Sequence, residues 1–506
     1  MALIGSTIKK ILQFKAEYLG NRKSPYEAQK QQLIELLDAA RKTSFGKFYH
    51  FDSIRESDDP EALFKKRLPI VHYDIMRERW WDQQLRFPDI TWPGKPEYFA
   101  LSSGTTGSSS KRLPVTEDFL KSMRQVSLDQ LTELSKLELP EEVFQSEALA
   151  ISSSSNLDKR NGNFEGEISG ININNLPDWY ELFFRPGKEI AAIDDWETRT
   201  DRMAEEAADW NIGLISGIPS WVQLCLQKIM VRQGVEYIDD LWPNARVFIS
   251  GGVAFATYEH SFRALFRKQL TVVDTYLASE GFFAYGSAGT PMEMKLATQH
   301  GYYYEFIPFT GEHIDEKGQV QSDAPTIGLN QLEKDREYIL VVSTCAGAWR
   351  YVPGDTVAFT SLSPLKMVLT GRIKFFLNVV GAQLSEQKIN GAIRHVSSHL
   401  EVDINEFMVT CKKIDGHYFH VWTLVSEAEL PLDEVAEEID HHLKDVNKNY
   451  KVARSKALEG VICRRLNPKK YRTYLESQNK LGGQVKIQKV MSPETNEQFE
   501  KVLDWD

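Results

Sequence analysis

The stretch VFISGGVAFATYEHSFRALFRKQLTVVDTYLASE, residues 247–280, decides the fold class of this chain. It opens with the apolar run Val247–Ile249 and returns to a similar run at Thr271–Val273, and both are typical of buried strands. Residues 256–270 between them have the pattern of a helix. Strands that alternate with helices predict an α/β domain with at least partly parallel sheets.

The same alternation extends outward on both sides of this stretch. Further strands are predicted at Ala148–Ile151, Ile212–Ile215 and Tyr338–Val342. An apolar helical pattern over residues 25–43, with Pro25 near its start, predicts a packing helix near the N-terminus. Glycine-rich turns follow several strands, and ligand sites usually gather at strand ends in such sheets.

The pattern changes again near residue 371. A strand candidate at Phe419–Leu424 and a helical stretch near 433–448 predict a separate, small α+β domain at the C-terminal end. We expect the hinge around residues 371–378. The expected domains are residues 1–375 and residues 376–506.

Composition limits the function classes. The chain has 506 residues, with 60 Lys+Arg against 71 Asp+Glu and a net charge of −11. This balance argues against a general nucleic-acid binder, which needs a basic face for the phosphate backbone. It leaves ATP open, because ATP needs only a local basic cluster.

Compartment and metal content are read from the apolar runs and the cysteines. No stretch approaches the roughly 20 apolar residues of a membrane span, and Lys9 and Lys10 break the first apolar run too early for a signal peptide. The four cysteines are far apart in the sequence, at positions 225, 345, 411 and 463. We expect reduced thiols in a cytoplasmic protein and no zinc site.

The loop Leu101-Ser-Ser-Gly-Thr-Thr-Gly-Ser-Ser-Ser-Lys111 is the first candidate for chemistry. Its glycines let backbone N–H groups turn inward around an anion, its hydroxyls add donors, and its lysine adds positive charge. These properties suit a polyphosphate, although the loop is not a Walker A sequence. The alternative is a flexible Ser/Gly linker, against which stands the strand pattern of Tyr98–Leu101 just before it.

Three further segments combine polar side chains with turn signals. In Asp274-Thr-Tyr-Leu-Ala-Ser-Glu280, an aromatic ring suits a purine and a glutamate suits Mg²⁺. Trp349-Arg-Tyr-Val-Pro-Gly-Asp355 ends in a carboxylate that can accept bonds from ribose hydroxyls, and Gly482-Gly-Gln-Val-Lys486 carries a lysine on a glycine-rich loop. Each segment taken alone favours the plain interpretation, which is a turn or a solvated surface charge.

Taken together, these segments resemble the adenylate-forming superfamily of acyl-CoA synthetases, adenylation domains and luciferases. The closer resemblance is to the bacterial branch of the auxin-responsive acyl-acid amido synthetases. It rests on SSGTTGSSSK at 102–111, on the tyrosine-to-glutamate segment 276–280, on Arg350-Tyr351 before Gly354-Asp355, and on Gly-Gly-Gln-Val-Lys486. The segments 217–221 and 25–29 are also similar to that family, so the resemblance covers nearly the whole chain.

The resemblance implies an ATP- and Mg²⁺-dependent ligase, in which residues 1–375 would bind ATP and the acid and residues 376–506 would form a mobile cap. A carboxylate would attack the α-phosphate of ATP to give an acyl-adenylate, and an amine, usually of an amino acid, would then take the acyl group and release AMP. Positioning and charge stabilisation would do most of the catalytic work. The expected partners are small molecules, with no nucleic acid and no membrane span.

The family's functional residues carry over by position. Glu280 would bind Mg²⁺, and Lys486 would reach the α-phosphate when the C-terminal domain rotates. Tyr276 would stack on adenine, and Asp355 would hold the ribose. The other expected nucleotide contacts are Ser102, Ser103, Thr105, Thr106, Gly251, Gly252, Ser279 and Arg372, with Lys111 as a weaker candidate.

The sequence identifies the acyl pocket and the hinge less clearly than the nucleotide contacts. Ile218, Trp221 and the segment 170–173 are the candidates for the pocket, with plain core packing as the alternative for Trp221. Val352 stands where the superfamily often has an arginine, Lys374 where it often has a hinge aspartate, and Asn378 where it has a lysine. These departures suit the amido-synthetase branch and put the hinge mechanism in doubt.

Two other functions fit the same motifs. In one, the acceptor is coenzyme A or a carrier-protein thiol rather than an amine. In the other, the chain is a non-catalytic sensor that binds a nucleotide or an acyl ligand. The sensor reading predicts loss of the Mg²⁺ carboxylate or of the lysine, whereas Glu280 and Lys486 are both present.

Overall fold

A computed structural model of the chain describes most of its length. The described residues are 2–18, 23–102, 111–160, 162–252, 255, 258–287, 293–310, 312–314, 319–373, 384, 386–404, 406–456, 458–477, 489–491 and 493–503. They group into two compact units, one made of Met1–Ala254 with Phe262–Val368 and the other of Phe255–Ser261 with Leu369–Asp506. The roles given above to residues 1–375 and 376–506 stay a prediction, and residues 374–378 of the expected hinge lie outside the described part.

The helices and strands alternate along the described chain. The strands are β1 (Tyr98–Ser102), β2 (Lys111–Val115), β3 (Glu147–Ile151), β4 (Asp158–Arg160), β5 (Asn163–Gly166), β6 (Phe184–Arg185), β7 (Ile212–Gly217), β8 (Val247–Gly251), β9 (Thr271–Ala278), β10 (Gly281–Gly286), β11 (Met294–Leu296), β12 (Tyr302–Pro308), β13 (Glu337–Thr344), β14 (Asp355–Leu362), β15 (Leu365–Arg372), β16 (Glu406–Ile414), β17 (His417–Val425) and β18 (Leu458–Leu466). The helices are α1 (Ala2–Tyr18), α2 (Pro25–Ala40), α3 (Ser44–Phe48), α4 (Phe51–Arg55), α5 (Pro60–Arg67), α6 (Tyr73–Met76), α7 (Asp82–Gln84), α8 (Glu117–Leu134), α9 (Ile168–Asn174), α10 (Asp178–Glu181), α11 (Lys188–Ala191), α12 (Trp196–Glu206), α13 (Pro219–Gln233), α14 (Ile238–Leu241), α15 (Glu259–Arg263), α16 (Glu386–His399), α17 (Leu432–Val446), α18 (Lys448–Lys456), α19 (Pro468–Ser477) and α20 (Pro493–Val502).

One large mixed sheet organises the first unit. Its strand order is β12-β13-β14-β15-β11-β10-β9-β8-β7-β3-β6, and the strands from β6 to β9 are parallel neighbours. From β9 to β10, β11 and β15 the pairing is antiparallel. A smaller sheet has the order β2-β1-β5-β4. The predicted α/β class with partly parallel sheets is therefore confirmed.

Most predicted elements have the expected type. All five predicted buried strands are present, as β3, β7, β8, β9 and β13. Helix α2 begins with a capping box between Ser24 and Glu27, and its core-facing leucines are buried. The second unit contains the expected strand, as β17, and the expected helix, as α17.

The helix predicted over residues 256–270 is much shorter than expected. Helix α15 spans only Glu259–Arg263 of the described residues. Beyond it, the backbone N–H groups of Arg267 and Lys268 donate to the Asp239 carboxylate, at 2.7 and 3.2 Å. The Asp239 carboxylate thus gives this backbone hydrogen-bond partners outside a helix. The apolar pattern of Phe262 and Phe266 is explained by their rings, which stack on each other with centroids 6.0 Å apart.

The second unit has its own sheet and core. Strands β16 and β17 are antiparallel, and β18 is parallel to β17. Helices α16 and α17 share a core with this sheet, centred on Trp422. No helix in the described part of the chain has the length and apolar character that crossing a membrane requires.

Gly217 ends β7 and starts the turn into α13. Its φ is +149°, and a Cβ there would lie 2.7 Å from the Ile151 carbonyl oxygen and 2.8 Å from Val222. We expect Gly217→Ala to lower the free energy of unfolding by about 2–4 kcal/mol, because the added methyl group meets backbone that cannot move away. Urea denaturation measures the change.

Gly234 at the other end of α13 provides the control. Its φ is +66°, and a Cβ there would have no neighbour within 4 Å. Asparagine tolerates this left-handed conformation, so Gly234→Asn is expected to cost less than about 1 kcal/mol. Equal losses in the two variants would contradict the close-approach argument.

Candidate active site

The carboxyl ends of parallel strands bring several predicted site residues to one edge of the large sheet. The register aligns Ile151 of β3 with Gly217 of β7, Gly217 with Ser250 of β8, and Ser250 with Asp274 of β9. Residues that follow these positions therefore lie along the same edge. Those predicted from the sequence are Ile218, Trp221, Gly251, Gly252, Tyr276, Ser279 and Glu280.

Gly251 and Gly252 leave backbone accessible at this edge. Gly251 lies opposite Thr275, and a Cβ on Gly251 would meet the Thr275 hydroxyl at 3.0 Å. The same hydroxyl donates to the Ser250 carbonyl oxygen at 2.9 Å, which ties the two strand ends together. Gly252 then turns away with a φ of +83°, a conformation that favours glycine.

Tyr276 and Asp355 meet although 79 residues separate them in the sequence. The Tyr276 hydroxyl donates to Asp355 Oδ2 at 2.6 Å, and both residues are buried. A bond of this length to a carboxylate is typical of a charge-assisted hydrogen bond. The Tyr276 ring packs edge-on against Phe283, so the contact fixes both the ring and the carboxylate.

Arg350 anchors the turn that leads to Asp355. It has a φ of +44°, and its guanidinium makes two hydrogen bonds to the Glu305 carboxylate, at 2.9 and 3.0 Å. Its remaining N–H groups reach the carbonyl oxygens of Lys65 and Leu68. The sequence motif that begins at Trp349 thus combines a structural arginine with a candidate ligand aspartate.

Ser279 and Glu280 form the tight turn between β9 and β10. Ala278 and Gly281 face each other across this hairpin, and the side chains of Ser279 and Glu280 are partly exposed at its tip. A carboxylate in this position has the oxygen atoms that Mg²⁺ prefers. The turn begins three residues after Tyr276, because β9 continues to Ala278.

The two strands that flank the Ser/Thr/Gly segment pair with each other. Ser102, the last residue of β1, is paired with Lys111, the first residue of β2. The Lys111 ammonium group lies 5.5 Å from the centre of the Tyr73 ring. Ser103, Thr105 and Thr106 lie outside the described residues.

Two predicted basic residues are on the C-terminal side of the chain. Arg372 ends β15 and is partly exposed within the second compact unit. Lys486 lies outside the described residues. Three residues after it, Lys489 is buried and donates to Glu406 at 2.7 Å in the same unit.

The candidate acyl pocket is apolar and tightly packed. Ile218 caps the N-terminus of α13, and Trp221 in its first turn is only 3% exposed. The Trp221 ring packs edge-on against Trp196 at 5.3 Å. Its indole N–H has no hydrogen-bond partner among the described residues. The segment 170–173 lies within α9.

The site residues predicted from the sequence do not include Asp274, Glu167 or Arg199. Glu167 Oε2 and Arg199 Nε are buried without a hydrogen-bond partner in the described chain, and burial raises the pKa of Glu167 and lowers that of Arg199. A usable signal was present for Arg199. It falls on the apolar face of α12 with Trp196 and Met203, where a charge is unexpected.

Asp274 has a strongly perturbed carboxyl group at the strand ends. Burial raises its pKa to about 6, and the nearby Ser250 hydroxyl opposes this shift only in part. Neither Asp274 Oδ1 nor the Ser250 hydroxyl oxygen has a well-aligned hydrogen-bond partner among the described residues. Perturbed carboxyl groups of this kind cluster at functional sites.

A separate cavity of 640 Å³ lies beside α2 and α8. Among its lining residues are Gln32, Lys121 and His300, and none of the predicted site residues lines it. The candidate active site is therefore the strand-end edge rather than this cavity.

We expect Asp274→Asn to change stability in a pH-dependent way. The pKa of this carboxyl group is about 6 in the folded state and 3.8 in the unfolded state, so the folded state holds the proton more tightly. The stability that the wild type gains from this group is therefore full below about pH 4 and is lost as the pH rises through about 6. At about 1.4 kcal/mol per pKa unit, the variant should gain up to about 3 kcal/mol on the wild type between about pH 4 and pH 8. Urea denaturation at both pH values measures this.

Asp58→Asn is the control, because Asp58 is exposed in the same unit. A constant difference for Asp274→Asn would contradict the raised pKa.

Models of three consecutive domains of one family match the chain. The GH3 family N-terminal domain matches residues 16–202, the central domain residues 295–372, and the C-terminal domain residues 387–495.

The curated relatives match over part of their length. The indole-3-acetic acid-amido synthetase GH3.8 of Oryza sativa subsp. indica is 26% identical over 204 residues, which span 38% of this chain and 33% of the relative. The jasmonoyl–L-amino acid synthetase GH3.5 of Oryza sativa subsp. japonica is 26% identical over 218 residues, which span 39% and 36%. The matched region thus covers about a third of the length of either relative.

Solved structures match over nearly the whole chain. The acyl acid amido synthetase AtGH3.15, in complex with 2,4-DB, aligns with a TM-score of 0.76 at 15% identity and covers 100% of this chain and 96% of its own. The 2-hydroxyisobutyryl-CoA ligase in its postadenylation state aligns with a TM-score of 0.61 at 12% identity and covers 96% and 97%. At these identities the likeness establishes the fold.

Proposed function

We propose a function for this chain from the premise that it belongs to the GH3 family, and that function is ATP-dependent amide ligation. The chain would activate a carboxylic acid as an acyl-adenylate and pass the acyl group to an amine, which we propose to be that of an amino acid. One observation carries the proposal: Gly251 pairs with Thr275 at the end of β8, and the next residue, Tyr276, is hydrogen-bonded to Asp355 at the start of β14. The names of the curated relatives, which are amido synthetases, support the choice of acceptor.

Adenosine would be held by the strand-end residues. Asp355 can accept hydrogen bonds from ribose hydroxyls, and the Tyr276 hydroxyl holds that carboxylate in place at 2.6 Å. The backbone at Gly251-Gly252 would border the adenine. We further propose that Arg372 lies near the ribose and Ser279 near the α-phosphate.

The first step is displacement at the α-phosphate. A carboxylate oxygen of the acid forms a bond to the α-phosphorus while the bond to pyrophosphate breaks. We propose that Ser102, Ser103, Thr105 and Thr106 hold the phosphates and that Lys486 offsets charge on the α-phosphate. Glu280 fits a hard cation because it offers carboxylate oxygens at a partly exposed turn. Mg²⁺ bound there would neutralise charge on the phosphates.

The second step is acyl transfer. The amine nitrogen attacks the acyl carbon, the bond from that carbon to the AMP oxygen breaks, and the amine loses a proton. Ile218 and Trp221 are proposed as the apolar wall of the acyl pocket, which suits an aromatic or aliphatic acid. The four free cysteines fit a proposed cytoplasmic location.

Transfer to coenzyme A is the second candidate. The fold shared with 2-hydroxyisobutyryl-CoA ligase favours it, although the alignment with the amido synthetase has the higher TM-score. A non-catalytic sensor is the third candidate. Adenylation separates the sensor from both enzymes, and the choice of acceptor separates the enzymes from each other.

Pyrophosphate release tests the proposal. The chain would be incubated with ATP, Mg²⁺ and hydroxylamine over a panel of aromatic, aliphatic and hydroxy acids, because hydroxylamine captures an acyl-adenylate without knowledge of the natural amine. We expect acid-dependent pyrophosphate release and acid-dependent hydroxamate. The best acid is then offered amino acids and coenzyme A, and AMP release should follow the amino acid.

Glu280→Gln is the matched variant for this assay. It keeps the size of the side chain and removes the charge, so we expect pyrophosphate release to fall more than about a hundredfold. Undiminished turnover would remove Glu280 from the site. ATP binding by the wild type without release for any acid would support the sensor instead.

Tyr276→Phe tests the contact with Asp355. The substitution removes the Tyr276 hydroxyl and leaves the ring. The hydrogen bond that is lost goes to a charged group, and such a bond contributes about 1.5–3 kcal/mol. We expect the KM for ATP to rise by about tenfold or more, measured by pyrophosphate release, because the ribose-binding carboxylate loses its fixed orientation.

Tyr303→Phe is the matched control. The Tyr303 hydroxyl donates to Glu61 at 3.1 Å, and Tyr303 is also buried on the large sheet. This variant should lose stability while the KM for ATP stays unchanged. Equal shifts in KM would mean that the effect of Tyr276→Phe is general rather than local.

A further inference from the structure

Two histidines and a glutamate meet on the surface of the second compact unit. His395 and His399 are one helical turn apart on α16, and Glu438 is on α17. Glu438 Oε2 lies 3.2 Å from His395 Nε2 and 3.1 Å from His399 Nδ1. One ligand atom from each of the three residues lies within 4.8 Å of the others.

The packing of the two helices explains why these side chains meet. Ile393 and Val396 of α16 and Val435 and Ile439 of α17 are buried in one core. Beside this core, α16 carries the two histidines and α17 carries the glutamate. Residues at i and i+4 on a helix lie on the same face, so α16 offers two ligands to a single point.

We propose that His395, His399 and Glu438 form a zinc site that joins α16 to α17. Zinc binds imidazole nitrogen at about 2.0–2.1 Å and carboxylate oxygen at about 2.0–2.2 Å, so two ligands on a tetrahedral ion lie about 3.3 Å apart. Both separations from Glu438 are close to this value. Three protein ligands at a partly exposed position leave the fourth coordination position for water.

A further histidine ring contacts His395. The His442 ring, one turn after Glu438 on α17, stacks on the His395 ring with centroids 4.6 Å apart. Such contacts fix the orientation of a ligand ring. This site is separate from the proposed Mg²⁺ site at Glu280 in both position and ligand type, because imidazole favours zinc whereas Mg²⁺ favours oxygen.

The alternative is a pair of ordinary surface ion pairs. Other histidines of this unit contact a single carboxylate, as His417 does with Glu459 at 3.3 Å. At that pair no second ligand of this kind was found among the described residues. His417 therefore supplies a matched control, because it makes the same histidine–carboxylate contact without a second histidine.

Zinc competition tests the site in the full chain. Protein freed of metal with EDTA would be titrated with zinc against a chromophoric indicator, near neutral pH and with excess Mg²⁺ present. We expect a single zinc equivalent to bind, and the affinity to fall more than about tenfold in His395→Ala, His399→Ala and Glu438→Gln. His417→Ala should bind zinc like the wild type.

Cobalt reports whether position 399 touches the ion. His399→Cys loaded with Co²⁺ should gain a sulfur-to-cobalt charge-transfer band that the Co²⁺-loaded wild type lacks. This readout does not depend on ligase activity, so it stands apart from the proposed function. The proposal is overturned if the wild type binds no zinc, if the three ligand variants bind it undiminished, or if His399→Cys binds Co²⁺ without the band.

Discussion

The buried pair of Arg350 and Glu305 is the interaction on which the candidate site depends. Both charged groups are buried and are joined by two hydrogen bonds. Further hydrogen bonds run from Arg350 to carbonyl oxygens at the end of α5. Loss of one partner in a buried pair leaves an uncompensated charge and costs about 3–5 kcal/mol. The pair joins the N-terminal helices to β12 and so fixes the turn before Asp355. Asp355 can then meet Tyr276 from the other half of the sheet.

The fold was largely predictable because its elements are encoded locally. The apolar runs at β3, β7, β8, β9 and β13 identify strands by themselves, and strands separated by helical stretches require a crossover. The predicted length of helix α15 was wrong because the backbone after it is bound by the distant Asp239 carboxylate, which the local sequence pattern does not encode. Strand order in the sheet was equally hidden, since β11 pairs with β15 across a long stretch of sequence.

The candidate site was predictable where chemistry follows a turn signal, and less so elsewhere. Tyr276 and Asp355 were singled out from separate segments, but their direct contact depends on tertiary packing. Asp274 was passed over because its raised pKa comes from burial. The expectation of no zinc site took no account of the His395-x-x-x-His399 spacing, which the proposed zinc site combines with Glu438 from another helix.

The near-complete burial of Ile218 and Trp221 has a consequence for how this chain can diverge. Both residues are proposed to border the acid and also fill a core, and side chains with both roles cannot be exchanged for one purpose alone. A new acid preference acquired at either position would bring a loss of stability with it, and a lineage would need compensating changes elsewhere to retain it. Innovation in substrate choice is therefore expected to follow, rather than precede, the accumulation of stabilising substitutions in the large unit.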